Sequence, residues 1–185
     1  MPVAVGPQEF EQGKRGSFTS KRFEVVIVLP GGHEWLIDDH SRPWLGATHP
    51  RTNSGLTFLL FALDTIASPD KCRAASLERF LVNERAMSTI TQESTAGPGG
   101  YETRLWLALE ATEPSAPVRG HFFAFGSSLR KCLFLHVVTE GAPSEIELIS
   151  DRLAMFRARI FREMSLLSPL SPGRDLGHDK RKRTN

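Results

Sequence analysis

The stretch VRGHFFAFGSSLRKCLFLHVVT, residues 118–139, decides the fold of this 185-residue chain. It contains two runs rich in β-branched and aromatic residues, 118–125 and 129–139, which is typical of β-strands. Between them, Gly126-Ser127-Ser128 has the composition of a short hairpin loop. Upstream, residues 102–112 alternate leucines with other residues in a period of two, which predicts a third strand in the same antiparallel sheet.

The stretch that follows, PSEIELISDRLAMFRARIFREMSLL at residues 143–167, predicts a long amphipathic helix over about 144–167. Its apolar residues recur three or four positions apart, so they form one stripe along the helix. These residues are Ile146, Ile149, Leu153, Phe156, Ile160, Met164 and Leu167. Because a single apolar stripe has to be buried, we expect this helix to pack on the sheet.

The first half of the chain supplies further strands and one short helix. Ser68-Pro69-Asp70 combines a hydroxyl N-cap, a proline in the first position and an acid in the first turn, which predicts a helix over about 69–83. Strands are predicted for residues 23–29, 34–38, 56–63 and 87–93. The sequence therefore predicts an α+β fold: a mainly antiparallel sheet of about six strands with a short and a long helix packed on it.

Element order and aromatic placement add a family resemblance. A strand ends in Leu29-Pro30-Gly31-Gly32 and leads to Trp35, and later come Phe122-Phe123-Ala124-Phe125 and Cys132-Leu133-Phe134-Leu135-His136 before the closing helix. Over roughly residues 22–167 this pattern resembles the Mog1/PsbP-like α/β/α sandwich. The resemblance implies binding and accessory roles, as in photosystem accessory proteins, a nuclear-transport cofactor and many bacterial proteins. It carries over no site residue.

The chain divides into a central domain and two ends. Residues 1–21 are rich in Gly, Pro, Gln and charge without periodicity, so we predict a disordered leader. Residues 22–167 form the predicted single domain, and residues 168–185 form a predicted disordered basic tail. The net charge of +2 is uneven, because residues 1–22 carry +2 and residues 174–185 carry +3, which leaves the remainder mildly acidic.

The charge distribution argues against a nucleic-acid-binding domain. The acidic central part of the chain lacks a basic face and a recognisable nucleic-acid-binding module. The run Lys180-Arg181-Lys182-Arg183 has the charge to contact nucleic acid or an anionic membrane, but a solvated, disordered end is the favoured interpretation.

Composition favours a cytoplasmic protein. Hydrophobic residues make up 40% and charged residues 24%, as in ordinary globular proteins. No window has the roughly 18 consecutive apolar residues of a membrane helix, and the N-terminus lacks the order of a secretory signal. Export stays open if a signal segment lies outside the given sequence.

The two cysteines, Cys72 and Cys132, do not have metal-ligand spacing. The favoured interpretation is a pair of buried thiols. The alternative is a disulfide, which would close a loop of about 60 residues, stabilise the fold by roughly 4 kcal/mol and contradict the cytoplasmic prediction.

The densest polar cluster lies between His33 and His49. Imidazole and carboxylate groups bind Zn²⁺ and similar ions, so Asp38, His40 and His49 are the candidate metal ligands. The favoured alternative is turn chemistry, in which the aspartates and Pro43 close a strand. No metal or cofactor is predicted.

Two histidines of the hairpin, His121 and His136, form the second candidate site. Symmetric pairing about the predicted loop places His121 opposite Phe134 and Arg119 opposite His136, so the two histidines share a face as diagonal neighbours. Such a pair suits a metal ion or a pH switch. The favoured alternative is two partly buried, hydrogen-bonded histidines in an aromatic strand face.

Nothing in the sequence indicates catalysis. It contains no Gly-x-Ser-x-Gly elbow and no phosphate-binding glycine pattern, so we predict that the protein is not an enzyme. The candidate partner-binding residues are Trp35 and Trp44 beside the turn, and the polar helix face of Arg152, Arg157, Arg159 and Arg162. Trp106 is assigned to the core.

We therefore predict a non-enzymatic accessory or adaptor protein that binds another protein or assembly. The alternative is a metal-dependent or small-ligand-binding protein that uses the His33–His49 region. Oligomeric state does not follow from the sequence.

Overall fold

The structure is a computed structural model that describes residues 16–113 and 115–167. Its strands, numbered in chain order, are β1 (Gly16–Ser20), β2 (Val25–Leu29), β3 (Leu36–Asp38), β4 (Leu45–His49), β5 (Ser54–Ala62), β6 (Met87–Ala96), β7 (Glu102–Glu110), β8 (Val118–Ser128), β9 (Lys131–Gly141) and β10 (Ser165–Leu166). Seven of these strands form one antiparallel sheet in the order β3-β4-β5-β9-β8-β7-β6. β1, β2 and β10 form a small second sheet with β2 in the middle.

The predicted α+β class is confirmed, with seven strands in the main sheet instead of about six. The two helices of the protein, α1 (Pro69–Arg79) and α2 (Ile146–Phe156), pack on opposite faces of the main sheet. Because side chains alternate across a strand, Leu105 and Leu107 of β7 join α2 in the larger core, while Trp106 joins Leu77 of α1 in the smaller one. Trp106 is therefore a core residue, as predicted.

Both predicted helices end earlier than expected. α1 starts as predicted, since the Ser68 hydroxyl accepts a hydrogen bond of 3.3 Å from the Lys71 amide. It ends at Arg79 instead of 83 because Leu81 adopts a left-handed backbone conformation, with φ +53°, that a helix cannot continue.

The second helix starts at Ile146, near the predicted residue 144. It ends at Phe156, so the predicted end at about residue 167 is wrong. After α2, residues Arg157–Phe161 form a π-helical turn. Then β10 pairs with β2, and the Leu167 amide donates to the Glu24 carbonyl at 2.8 Å. The apolar stripe continues past the helix because Met164, between the helical segment and β10, is also buried.

The hairpin turn lies three residues later than predicted. β8 continues through Ser128, and β9 starts at Lys131, so Leu129-Arg130 makes the turn. Gly126 is a packing glycine instead of a loop glycine: a Cβ there would lie 3.1 Å from both the Leu133 Cβ and the Thr103 Oγ1.

The folded domain also begins earlier than residue 22. β1 lies inside the segment predicted as a disordered leader, and it pairs with β2 from Gly16 opposite Leu29 to Ser20 opposite Val25. Its polar sequence, GSFTS, carries only one large apolar residue, which explains why the pattern did not indicate a strand. The rest of the predicted leader, residues 1–15, and the predicted tail, residues 168–185, lie outside the described residues.

Cys72 and Cys132 form a disulfide, with their Cα atoms 5.4 Å apart, so the prediction of two free thiols is wrong. The bond ties the first turn of α1 to the start of β9. The two cysteines lie 60 positions apart, and their contact depends on how α1 docks, which the sequence pattern does not show. Within the described parts of the chain, no helix is long and apolar enough to cross a lipid bilayer.

Candidate binding groove beside the paired histidines

Part of one sheet face carries no helix. α1 covers the region around Phe123, Phe125 and Phe134, where Phe80 at its end stacks on Phe134 at 4.6 Å between ring centroids. Farther along the same face, over β3, β4, β5 and the end of β9, a solvent-open groove of about 420 Å³ remains.

Glycines form the floor of this groove. In the cross-strand rows of this face, Asp38 lies opposite Gly46, Gly46 opposite Thr57, and Thr57 opposite His136. The next row runs through Leu36, Thr48, Gly55 and Val138. A Cβ on Gly46 would meet only the Asp38 carbonyl oxygen, at 3.9 Å. Core packing therefore does not require a glycine at this position, and its missing side chain gives the groove its depth.

The groove has apolar and charged walls. Leu36, on the three-residue edge strand β3, is 63% exposed, and Val138 lies at the other end of its row. Asp38 and Arg42 line the same groove, and the Arg42 Nε lies 3.6 Å from the Asp38 Oδ2. The groove thus offers aliphatic surface, threonine hydroxyls and both signs of charge to an occupant.

His136 lines one end of the groove and is paired with His121 as predicted. The His121 Nδ1 lies 3.0 Å from the His136 Nε2, and the rings are stacked 5.3 Å apart. The observed register places His121 opposite Val138 and His136 opposite Phe123. The predicted register is wrong by four residues, but an even shift keeps side chains on the same face. The shared face is therefore confirmed.

Both histidines are held neutral. Burial among the phenylalanine rings, and then repulsion from His121, lowers the pKa of His136. Burial also lowers the pKa of His121, although Glu110, whose Oε2 lies 3.4 Å from the His121 Nε2, opposes that shift. Because the His121 Nδ1 faces the His136 Nε2 at hydrogen-bond distance, one of these two nitrogens donates and the other accepts.

The predicted metal ligands Asp38, His40 and His49 do not converge. Asp38 accepts hydrogen bonds from the amides of His40 and Ser41, at 3.3 and 2.9 Å, and from the Ser41 hydroxyl. The Ser41 hydroxyl is the main reason why the pKa of Asp38 falls to about 2. This is the turn chemistry that the sequence favoured. His40 is 94% exposed, and within residues 16–113 and 115–167 no three His, Cys, Asp or Glu side chains are placed to hold a metal ion.

His49 lies on the opposite face, in a chain of hydrogen-bonded side chains that starts at the part-exposed Glu34 carboxylate. Its Nε2 is 3.1 Å from the Glu34 Oε2 and its Nδ1 is 2.8 Å from the Thr52 Oγ1, which continues to Ser54. The order carboxylate, imidazole and hydroxyl matches that of a catalytic relay. The Thr52 side chain, however, belongs to a residue that is 2% exposed, so a substrate cannot reach its hydroxyl. We interpret this series of hydrogen-bonded side chains as structural.

Three of the six predicted partner-binding residues are engaged inside the fold. Trp35 is buried and its Nε1 donates to the Pro30 carbonyl at 2.6 Å, and Arg152 is buried and donates to Thr139 at 3.4 Å. The prediction that these two residues are surface residues is therefore wrong. Trp44 is half-buried with its ring against Phe80, 5.2 Å between centroids.

The other three arginines lie nearer the surface. Arg157 forms an ion pair of 2.5 Å with Glu93, and Arg159 forms one of 2.9 Å with Glu163. Arg162 is exposed. The π-helical turn and the burial of Arg152 break up the single arginine face that an ideal helix predicts.

The groove itself was missed at the level of sequence. Gly46 and Gly55 lie in strands of the structure, where a glycine often marks close approach of a ligand or another backbone, but both fall outside the strands that the sequence predicted. Their positions opposite Thr57 and Thr48 depend on the strand register, which the sequence pattern did not supply.

Comparison with solved structures shows the fold. The Ran-binding protein Mog1p of Saccharomyces cerevisiae is similar with a TM-score of 0.62 at 8% identity, over 85% of this chain and 97% of Mog1p. LpqN of Mycobacterium tuberculosis, involved in cell envelope biogenesis, gives 0.47 at 12% identity over 90% and 99% of the two chains. A Bacteroides thetaiotaomicron protein gives 0.42 at 11% identity over 76% and 47%.

The sequence matches no protein-family model and no curated protein. The similarity to Mog1p confirms the predicted resemblance at the level of fold: the chain has a Mog1/PsbP-like fold.

Proposed function

We propose that this protein is a non-enzymatic accessory protein that binds an extended segment of a partner protein in the sheet groove. The observation that carries the proposal is the sheet face that α1 leaves uncovered, with Gly46 and Gly55 in its floor and the 63% exposed Leu36 at its rim. An exposed apolar patch with polar residues at its rim is characteristic of an interaction site.

The shape of the groove favours an extended polypeptide over a small molecule. Small-molecule sites are mostly enclosed and apolar, whereas this groove is open and mixes aliphatic side chains with hydroxyls and opposite charges. It also borders β3, whose outer edge pairs with no other strand among the described residues. An extended segment can bond to such an edge while its side chains enter the groove.

Two further observations support a binding role. The Thr52 hydroxyl that ends the carboxylate–imidazole–hydroxyl chain described above is buried, and the imidazoles of His121 and His136 face each other at 3.0 Å. The fold neighbour Mog1p is described as a Ran-binding protein, so this fold is used to bind a protein in at least one other case. At 8% identity, that similarity supports the class of function and not the partner.

Site-specific photo-cross-linking in the host tests the proposal. A photo-reactive amino acid in place of Leu36 should give a discrete adduct with one protein, identified by mass spectrometry. The matched control is the same amino acid in place of Thr91, an exposed residue on the edge strand β6 at the opposite side of the sheet. The absence of a Leu36-specific adduct would contradict the proposal.

The disulfide supports function in an oxidising compartment. Structural disulfides persist outside the reducing cytosol, so the Cys72–Cys132 bond favours export, the alternative that the sequence left open, over a cytoplasmic location. Thiol labelling in intact cells distinguishes the two. Export predicts that both cysteines resist alkylation until a reductant is added, whereas alkylation without a reductant would indicate the cytoplasm.

A further inference from the structure

Two exposed aliphatic side chains lie at the end of the molecule where the β8–β9 turn meets the loop before α1. The Ala67 amide donates to the Leu129 carbonyl at 2.6 Å, and the Leu63 amide donates to the Arg130 carbonyl at 2.8 Å, so the turn and the loop are bonded together. Ile66 is 76% exposed and Leu129 is 78% exposed. Neither residue lines the groove proposed above.

Leu129 occupies a conformation that leucine rarely adopts. Its φ is +54°, in the left-handed region that glycine and asparagine enter at lower cost. Since the side chain is largely exposed, packing inside the fold does not account for a leucine here. A bulky residue in an unfavourable conformation at an exposed turn is a candidate contact residue, and the charges around it decide what it contacts.

Three cations, and the exposed carboxylate of Asp64, lie on or beside the same loop and turn as these aliphatic side chains. Lys71 donates to the Ile66 carbonyl at 2.9 Å, and Arg130 donates to the Asp64 carbonyl at 2.7 Å. Lys131 is exposed beside them. Lys71 and Arg130 bond to carbonyl oxygens, and none of the three forms an ion pair with a carboxylate of the described residues, so their positive charge stays available. We call Ile66, Lys71, Leu129, Arg130 and Lys131 the basic tip.

The basic tip is held rigidly. The Cys72–Cys132 disulfide joins the residue after Lys71 to the residue after Lys131. Together with the hydrogen bonds between turn and loop, it fixes both aliphatic side chains on one support. Rigid presentation reduces the conformational entropy lost on binding.

We propose that the basic tip docks on an anionic lipid surface, with Ile66 and Leu129 entering the headgroup region and the three cations contacting lipid phosphates. Two aliphatic side chains on an exposed turn and loop are too little for a stable protein interface, which buries about 800 Å² per partner. A lipid surface, in contrast, accepts single aliphatic side chains and attracts clustered Lys and Arg.

Vesicle sedimentation with the full chain tests this proposal. The protein should sediment with phosphatidylcholine vesicles that contain about 30% phosphatidylglycerol, and less with pure phosphatidylcholine or at high salt. Leu129→Gly combined with Ile66→Ser should lower the partition coefficient roughly tenfold, because the buried aliphatic area is lost. Leu129→Gly alone should raise the melting temperature while it weakens binding, since glycine relieves the left-handed strain.

Leu81→Gly is the matched control. Leu81 is also left-handed, with φ +53°, and 90% exposed, but it lines a pocket with the acidic residues Asp70, Glu78 and Glu84. This variant should gain stability and keep vesicle binding. Equal binding to neutral and anionic vesicles, no binding at all, equal vesicle binding by the two glycine variants, or a protein cross-linked to residue 129 would each overturn the proposal. Gly46→Val should leave vesicle binding unchanged, which separates this test from that of the groove.

Discussion

At the scale of single residues, the clearest physical signature is a group of three histidines, of which His49 and His121 are buried and His136 is half-buried. Burial among Phe123, Phe134 and their neighbours lowers the pKa of His136, with His121 adding repulsion. Burial likewise lowers the pKa of His121 and of His49, against the opposing effects of Glu110 and Glu34. All three imidazoles are therefore more acidic in the folded protein than in the unfolded chain.

This difference predicts that stability falls at acidic pH. Near pH 7 and above, the three histidines are neutral in both states. As the pH falls below about 6.5, the unfolded chain binds protons that the folded protein does not, so the free energy of unfolding decreases. The limiting slope is about 1.4 kcal/mol per pH unit for each suppressed histidine. Urea unfolding curves at pH 7.5 and 5.5 measure the loss.

Substitution should assign part of that loss to the histidine pair. His136→Phe keeps the aromatic stacking on Phe123, at 4.2 Å between centroids, and removes one titrating group, so it should flatten the pH dependence. His33→Gln, at an exposed position, is the control variant. Identical profiles for wild type and His136→Phe would contradict the assignment.

At the scale of elements, the close approach of α2 to the sheet depends on Gly120. A Cβ at this position in β8 would lie 2.3 Å from the Ile149 Cγ2 and 3.1 Å from the Leu153 Cδ1. Gly120→Ala should therefore destabilise the fold by about 1–3 kcal/mol, the usual cost of overpacking a core. Denaturant unfolding measures this, with Gly46→Ala as a control that meets no clash. Equal stability of the two variants would show that α2 does not pack as described.

The disulfide links α1 to β9 and gives a second prediction at this scale. Reduction, or Cys72→Ala combined with Cys132→Ala, should lower the free energy of unfolding by about 4 kcal/mol, the value that loop entropy gives for about 60 residues. Melting curves with and without reductant measure the effect, and the double variant should not respond to reductant. A wild-type melting temperature that is independent of reductant would contradict a structural disulfide.

Local patterns in the sequence were sufficient to predict helices and strands, but they did not predict the residues at which these begin and end. The apolar stripe through Ile149, Leu153 and Phe156 predicted the last helix, because burial follows the helical period. The same stripe ran on through Met164, where the chain had already left the helix, since strand and helix bury apolar residues equally well. Gly126 looked like a turn because a packing glycine and a turn glycine are the same in sequence.

Prediction of the candidate site required contacts between residues that are distant in sequence. The shared face of His121 and His136 could be predicted because the side-chain period of two survives any even register error. The groove and the basic tip could not, because each combines segments from separate parts of the chain. Arg152 shows the opposite failure: a charge on the apparent polar face is buried against Thr139 of β9.

At the scale of the whole molecule, the distribution of helices over the sheet leaves the candidate functional surfaces uncovered. α2 covers one face, α1 covers part of the other, and the remaining part, over β3, β4 and β5, is the groove. The basic tip lies at the α1 end that the disulfide secures. An accessory protein with this arrangement would contact a lipid surface at the tip and hold a partner segment in the groove.

The most direct test of the groove is the dissociation constant for the partner captured through Leu36, measured by calorimetry with wild type and Gly46→Val. The valine should fill the groove while keeping the fold, because a Cβ at Gly46 meets nothing closer than 3.9 Å. Its unfolding free energy should stay equal or rise by up to about 1 kcal/mol. Thr91→Val on β6 is the control and should bind like wild type. Gly46→Val should bind this partner at least roughly tenfold more weakly than wild type, which is about 1.4 kcal/mol. An affinity unchanged from wild type, in a folded Gly46→Val protein, would contradict it.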